Sequence, residues 1–203
     1  MLDAMARRVI DPPLNYIAPQ VPCSALQVTL IGFALGVVCI ALVAVQEFTL
    51  ALLFLWLNRI CDGLDGAVAR ARNESSDLGA FLDISSDFIL WAALPLAFIW
   101  CMPETAWSGA VLLSSFAMSM TVFLAFATMA EKRQLTTEVQ GKKSFFYLSG
   151  LAEGTETILF FSACLIWPAQ FATLALLFSG LVFLSVLGRL VTSWQILSDT
   201  LSE

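Results

Sequence analysis

The residue types in this chain that could do chemistry lie close together: Asp62, Asp65, Gly66, Ala69, Arg70, Gly79, Asp83 and Asp87. At 100° per residue, Asp62, Asp65, Gly66 and Ala69 fall within roughly a quarter to a third of one helix's circumference, while Gly79, Asp83 and Asp87 share a stripe of a second. At 1.5 Å rise per residue, Asp62 lies about 12 Å before Arg70 and Asp87 about 15 Å after Asp77, so an antiparallel hairpin brings all four acids to a similar depth. Four ionised carboxylates there repel one another unless protons or cations neutralise them. An all-oxygen donor set selects Mg²⁺, Mn²⁺ or Ca²⁺ over zinc, and two ions suit four acids. Such a pair fits in-line displacement at phosphorus, where it polarises phosphoryl oxygens and takes up charge on the leaving phosphate. Gly66, Ala69 and Gly79 strip bulk from beside the acids, and the forked guanidinium of Arg70 matches phosphate oxygens.

Singly, each residue has a plainer role. A small residue on a membrane helix usually serves packing, and Asp77, after Ser75 and Ser76, reads as a helix N-cap. The combination is another matter. At roughly 5 to 8% per residue type, eight fixed residues at fixed spacing arise by chance in far fewer than one window in a million.

The elements that position these residues are membrane spans. Of 203 residues 59% are hydrophobic and 13% charged, with mean hydropathy +0.85, which is too apolar for an ordinary globular domain. Six apolar runs, 25–45, 48–68, 78–101, 107–129, 145–167 and 171–197, each come near the ~20 residues a spanning helix needs. The expected fold is therefore an all-α membrane protein, a single bundle of six transmembrane helices over residues 1–203, with no separate soluble domain. The motif sits on the second and third spans. Residues 1–20 form a juxtamembrane segment in which Met1 to Ile10 make a short interfacial helix and Asp11, Pro12 and Pro13 interrupt it before any signal-peptide core develops.

Charge sets the expected orientation. The joints at Gln46–Glu47, 103–105 and 168–170 carry no Lys or Arg, whereas Arg7, Arg8, Arg59, Arg70, Arg72, Lys132, Arg133, Lys142 and Lys143 gather at the other ends. The positive-inside rule then turns the motif and both termini toward the cytoplasm. A net charge of -6 and a pI near 4.6 leave no basic face for nucleic acid. Histidine is absent and Cys23, Cys39, Cys61, Cys101 and Cys164 are scattered, so acid-base work falls to carboxylates. On geometry alone Asp83 and Asp87 are equal candidates for the base.

Asp62, two residues, Asp65, Gly66, two residues, Ala69, Arg70, eight residues, Gly79, three residues, Asp83, three residues and Asp87 resembles the signature of the CDP-alcohol phosphatidyltransferases, without gap or substitution. The resemblance implies a homodimeric six-helix enzyme of phospholipid synthesis in a bacterial inner membrane. It binds a CDP-linked lipid donor, such as CDP-diacylglycerol, transfers the phosphatidyl group to a polar alcohol, and releases CMP. Asp62, Asp65, Asp83 and Asp87 would hold the metals, Mg²⁺ or Mn²⁺. Gly66, Ala69, Arg70 and Gly79 would receive the CDP moiety, and Asp87 would take the hydroxyl proton. One departure stands at the start of the first span: many members have a Pro-Asn pair shortly before a Thr, where this chain has Ala25 and Leu26 before Thr29.

The acceptor is less legible. Arg133 and Lys143, in the basic loop 131–143, are candidates for holding a phosphorylated acceptor, against the plainer reading of loop charge facing anionic lipid. Glu153 and Glu156, one turn apart, either meet acceptor hydroxyls or pair with Arg189. Two other functions fit less well: transfer of a CDP-linked headgroup to diacylglycerol, and cation- or proton-coupled transport. Transport favours paired repeats with interrupted helices, and the acidic pattern has no second copy.

Overall fold

The computed structural model describes residues 2–133 and 154–199. Among them the chain is helical without strands: α1 (Leu2–Ile17), α2 (Ala25–Ala44), α3 (Phe48–Arg72), α4 (Asp77–Cys101), α5 (Ala106–Lys132), α6 (Gly154–Ile166) and α7 (Phe171–Asp199). Four stretches, Ala25–Ala44, Asp77–Cys101, Pro103–Lys132 and Pro168–Ser198, are long and apolar enough to cross a membrane, so the chain is a multi-pass membrane protein. The other two expected spans differ from these. α3 has the length but carries Arg59, Asp62, Asp65, Arg70 and Arg72, and the described part of α6 is 13 residues.

Local chemistry sets the helix ends. α2 opens on a capping box in which Ser24 Oγ accepts from the Gln27 N–H while Ser24 N–H donates to Gln27 Oε1. α3 outlasts its apolar run by four residues, since Arg70 and Arg72 in the last turn suit the negative end of the helix dipole. It stops at Asn73, which takes a left-handed φ of 55° and lets Glu74 N–H bond back to the Ala69 carbonyl.

Two expectations change here. The N-cap of α4 is Ser76, whose Oγ accepts from Gly79 N–H at 3.1 Å, and Asp77 is the first helical residue. Asp77 still helps the helix there, as a charge in its first turn. The N-terminal helix also does not stop at Ile10. It continues through Pro12 and Pro13 to Ile17, with both prolines on the exposed side, where solvent can take the carbonyls they leave unbonded.

α2 packs on α3 and α4, α5 on α7, and α6 on α3. The α2 and α3 backbones approach closely at Gly32, where an added Cβ would stand 3.0 Å from Cys61 Cβ. Away from the acids the core is aromatic. Phe98 stacks on Phe171 at 4.2 Å and on Phe48 at 5.8 Å, Trp91 stacks on Phe161 at 5.6 Å, and Phe160 stacks on Phe178 at 4.3 Å. Trp100, Trp107 and Trp167 stand exposed near the ends of α4, α5 and α6, as interfacial tryptophans do. The five cysteines are free thiols.

Candidate active site

The four acids meet where the second half of α3 faces the first half of α4. Asp65 is buried and accepts a hydrogen bond from Thr29 Oγ1 of α2 at 2.6 Å. Thr29 also donates toward its own helix, at the Ala25 carbonyl, so it is held one turn from the start of α2. Asp62 and Asp87 flank the Arg59 guanidinium, with Nη1 3.6 Å from Asp62 Oδ2 and Nη2 2.7 Å from Asp87 Oδ1. Asp62, Asp65 and Asp83 line a small polar cavity of about 10 Å³ together with Thr29, Asn58, Arg59 and Ser86.

The rest of the motif lines a larger cavity beside it. Gly66, Ala69, Arg70 and Gly79 surround a volume of about 490 Å³ that Asp65 and Asp83 also reach, so the two cavities share two acids. That volume is in the range of small-molecule sites. Its far wall is the N-terminal turn of α4, Ser76 to Ala80, whose positive dipole end favours a phosphate. Bulk is scarce where it would matter. A Cβ on Gly79 would sit 3.2 Å from Ser76 Oγ, against the cap that starts α4.

Ser24, Ala25 and Leu26 complete the wall, so the first span contributes to the cavity despite lacking the Pro-Asn pair. Its position is fixed from α3. Glu74 Oε2 accepts from Ala25 N–H at 2.9 Å, satisfying a donor at the α2 N-terminus, and Arg72 donates to the Cys23 and Val21 carbonyls. The turn between α3 and α4 is thereby pinned to the segment that leads into α2.

The expected acceptor residues are not gathered here. Arg133 Nη1 donates to the Leu197 carbonyl at 2.9 Å, linking the end of α5 to the end of α7. Arg189 of α7 is buried and donates to Ser119 Oγ of α5 at 3.1 Å. Lys142, Lys143 and Glu153 lie outside the described residues, and Glu156 falls in the first turn of α6.

Sequence reasoning passed over Asn58, Arg59 and Trp91. Asn58 Nδ2 donates to the Gly32 carbonyl at 2.8 Å, its Oδ1 accepts from Arg59 Nε at 2.7 Å, and the guanidinium lies 4.9 Å from the Trp91 ring centroid. A signal was available. Asn58 and Arg59 are polar residues one turn before Asp62 within an otherwise apolar run, where each needs a partner.

The donors suit a hard cation. All are carboxylate oxygens, and the buried Asp87 Oδ1 faces the Arg59 guanidinium at 2.7 Å. As they stand the acids do not close into a coordination set: among the described residues no three Asp, Glu or Cys side chains are grouped to hold an ion. Thr29 and Arg59 hold Asp65 and Asp87 on separate partners.

Known proteins resemble this chain in sequence and in fold. The model of the CDP-alcohol phosphatidyltransferase family matches residues 23–196. The inner membrane protein YnjF of Escherichia coli (strain K12) is 44% identical over 172 residues, 84% of this chain and 83% of YnjF. The structure of Mycobacterium tuberculosis phosphatidylinositol phosphate synthase (PgsA1) with CDP-DAG bound superposes with a TM-score of 0.69, at 19% identity, over 92% of this chain and 94% of that one. The same enzyme in complex with manganese and citrate gives 0.68, at 21% identity, over 90% and 88%. At such identities the likeness to PgsA1 is one of fold.

Proposed function

This chain belongs to the CDP-alcohol phosphatidyltransferase family, and on that premise we propose that it transfers a phosphatidyl group from CDP-diacylglycerol to the hydroxyl of a polar alcohol, releasing CMP. One observation carries the reading: a cavity of about 490 Å³, walled by the non-acidic half of the motif, opens onto Asp65 and Asp83 of the acidic half. That PgsA1 has been crystallised with CDP-DAG, and separately with manganese, supports the donor and the metal.

The cavity lining supports the roles of the small residues and Arg70, and the family resemblance supports that of Asp87. Arg70 and the α4 N-terminus hold the diphosphate, while Gly66, Ala69 and Gly79 leave it room. Thr29 fixes the orientation of Asp65. Asp62, Asp65, Asp83 and Asp87 would hold a divalent cation, Mg²⁺ or Mn²⁺, which when bound neutralises the carboxylates and polarises the phosphoryl oxygens. Asp87 takes the proton of the acceptor hydroxyl as the new O–P bond forms and the bond from phosphorus to the CMP oxygen breaks.

The same reading has six spans in a single domain over residues 1–203, α1 at the membrane interface, a homodimer, and the acidic end facing the cytoplasm. Exposed Val9, Ile10, Tyr16 and Ile17 on α1, and the gathering of Arg70, Arg72, Lys132 and Arg133 at one end, support the interface and the orientation. The test is CMP release by the protein in lipid from CDP-diacylglycerol and Mn²⁺ or Mg²⁺, offered serine, glycerol 3-phosphate, inositol or inositol phosphate. Release that depends on one alcohol and stops with chelator is the expected result, and no release with any of them would overturn the reading.

A further inference from the structure

Arg59, expected among the charges at the end of its span, stands instead in the middle of α3, where Leu57 and Ile60 are exposed, and a charge at such a place persists only when it is paired. Its side chain is 7% exposed and engaged on every side. Nε donates to Asn58 Oδ1, Nη1 faces Asp62, Nη2 faces Asp87, and the plane lies over Trp91. Asn58 is itself tied to the Gly32 carbonyl, so α2, α3 and α4 all meet at this one guanidinium. This is a rigid seat.

Asp65 and Asp87 are held differently. Asp65 has a neutral hydroxyl as partner, whereas Asp87 Oδ1 faces the charged guanidinium at 2.7 Å. With Oδ1 turned to Arg59, Oδ2 is the oxygen left for an ion or for a proton. Four carboxylates and one guanidinium also give the cluster a formal charge of −3 in place of −4.

From this geometry we infer that Arg59 is a positioning residue, a resident cation that fixes Oδ1 of Asp87 and so orients the carboxylate for its role as proton acceptor while offsetting part of the charge that draws the divalent ion. The inference rests on the function proposed above. It separates two quantities that a scaffold role would move together. Without the guanidinium the acids attract a divalent ion more strongly, while Asp87 loses the orientation that turnover needs.

The test compares the full chain with Arg59→Gln and Arg59→Lys in lipid nanodiscs, using three readouts. These are free Mn²⁺ by electron paramagnetic resonance during titration, kcat and KM for CMP release, and thermal unfolding. For Arg59→Gln the expected result is Mn²⁺ binding about three- to tenfold tighter, kcat about 100-fold lower, and a donor KM within about threefold of the native value. Arg59→Lys keeps the charge but not the fork, so it should hold Mn²⁺ affinity within about twofold and recover about a tenth of native kcat.

Weaker Mn²⁺ binding by Arg59→Gln alongside a lower unfolding temperature would make Arg59 a structural residue and overturn the inference, as would an unchanged kcat. Should Arg59→Gln fail to fold, Arg59→Lys decides: native Mn²⁺ affinity with reduced kcat supports the inference, and native kcat or weakened binding overturns it. A native chain that neither binds Mn²⁺ nor releases CMP overturns the proposed function itself. Native binding and release with the wrong response in the variants overturns the role of Arg59 alone.

Discussion

α3 and α4 are each divided along their length, and the two halves obey different rules. At one end Phe48 and Phe98 stack on each other and Phe98 stacks on Phe171, an apolar contact with no hydrogen bond to satisfy. At the other end the same helices place Asp62, Asp65, Asp83 and Asp87 beside Gly66, Ala69 and Gly79, where bulk is missing and polar groups are tied to other helices. Trp91 joins the halves, with one contact to Phe161 and another to the Arg59 guanidinium. The aromatic end can supply rigidity that the acidic end cannot, since packing around a site that admits substrate has to stay incomplete.

The division can be broken from either side. The largest effect is expected for Asp87→Asn, which removes a proton acceptor while keeping shape: turnover should fall about 10⁴-fold, or about 5.5 kcal/mol, far more than any loss of thermal stability, since Arg59 keeps Asp62 as a partner. CMP release and unfolding measured on one preparation check this, and a matching fall in unfolding temperature would merge the two ends. Phe98→Ala should do the reverse. Loss of a fully buried ring costs about 3 kcal/mol of stability, the low end for this change because lipid in place of water removes part of the transfer gain. Unfolding titrations in detergent read the loss, and kcat per folded molecule should stay near native.

The smallest effect sharpens the comparison within the acidic end. Thr29→Val keeps the packing volume but removes the hydrogen bond to Asp65, so kcat should drop about tenfold, or about 1.4 kcal/mol, at nearly native stability. If Mn²⁺ affinity is unchanged in that variant, Thr29 acts on orientation alone.

Much was legible beforehand because it is local. Apolar runs within a few residues of the observed ends mark α2, α3, α4, α5 and α7. The two errors are also local, and instructive. Three polar residues compete to cap α4, and only the backbone angles at Ser76 decide which one does. Two prolines usually end a helix, yet on the exposed face of α1 they cost it little enough to continue.

By itself, the sequence determined that two helices would each carry two acids on one face, beside Gly66 and Ala69 on the first and Gly79 on the second, since helical period alone puts residues three and four apart on the same side. It also determined that the chain lies in a membrane, since length and hydropathy are properties of a run. Only the tertiary structure decided what each acid faces. Thr29 reaches Asp65 across 36 residues, Asn58 reaches Gly32 across 26, and Glu74 reaches Ala25 across 49. Such pairs depend on how closely α2 seats against α3, and that distance is fixed by the absence of a side chain at Gly32 rather than by any pattern along one helix.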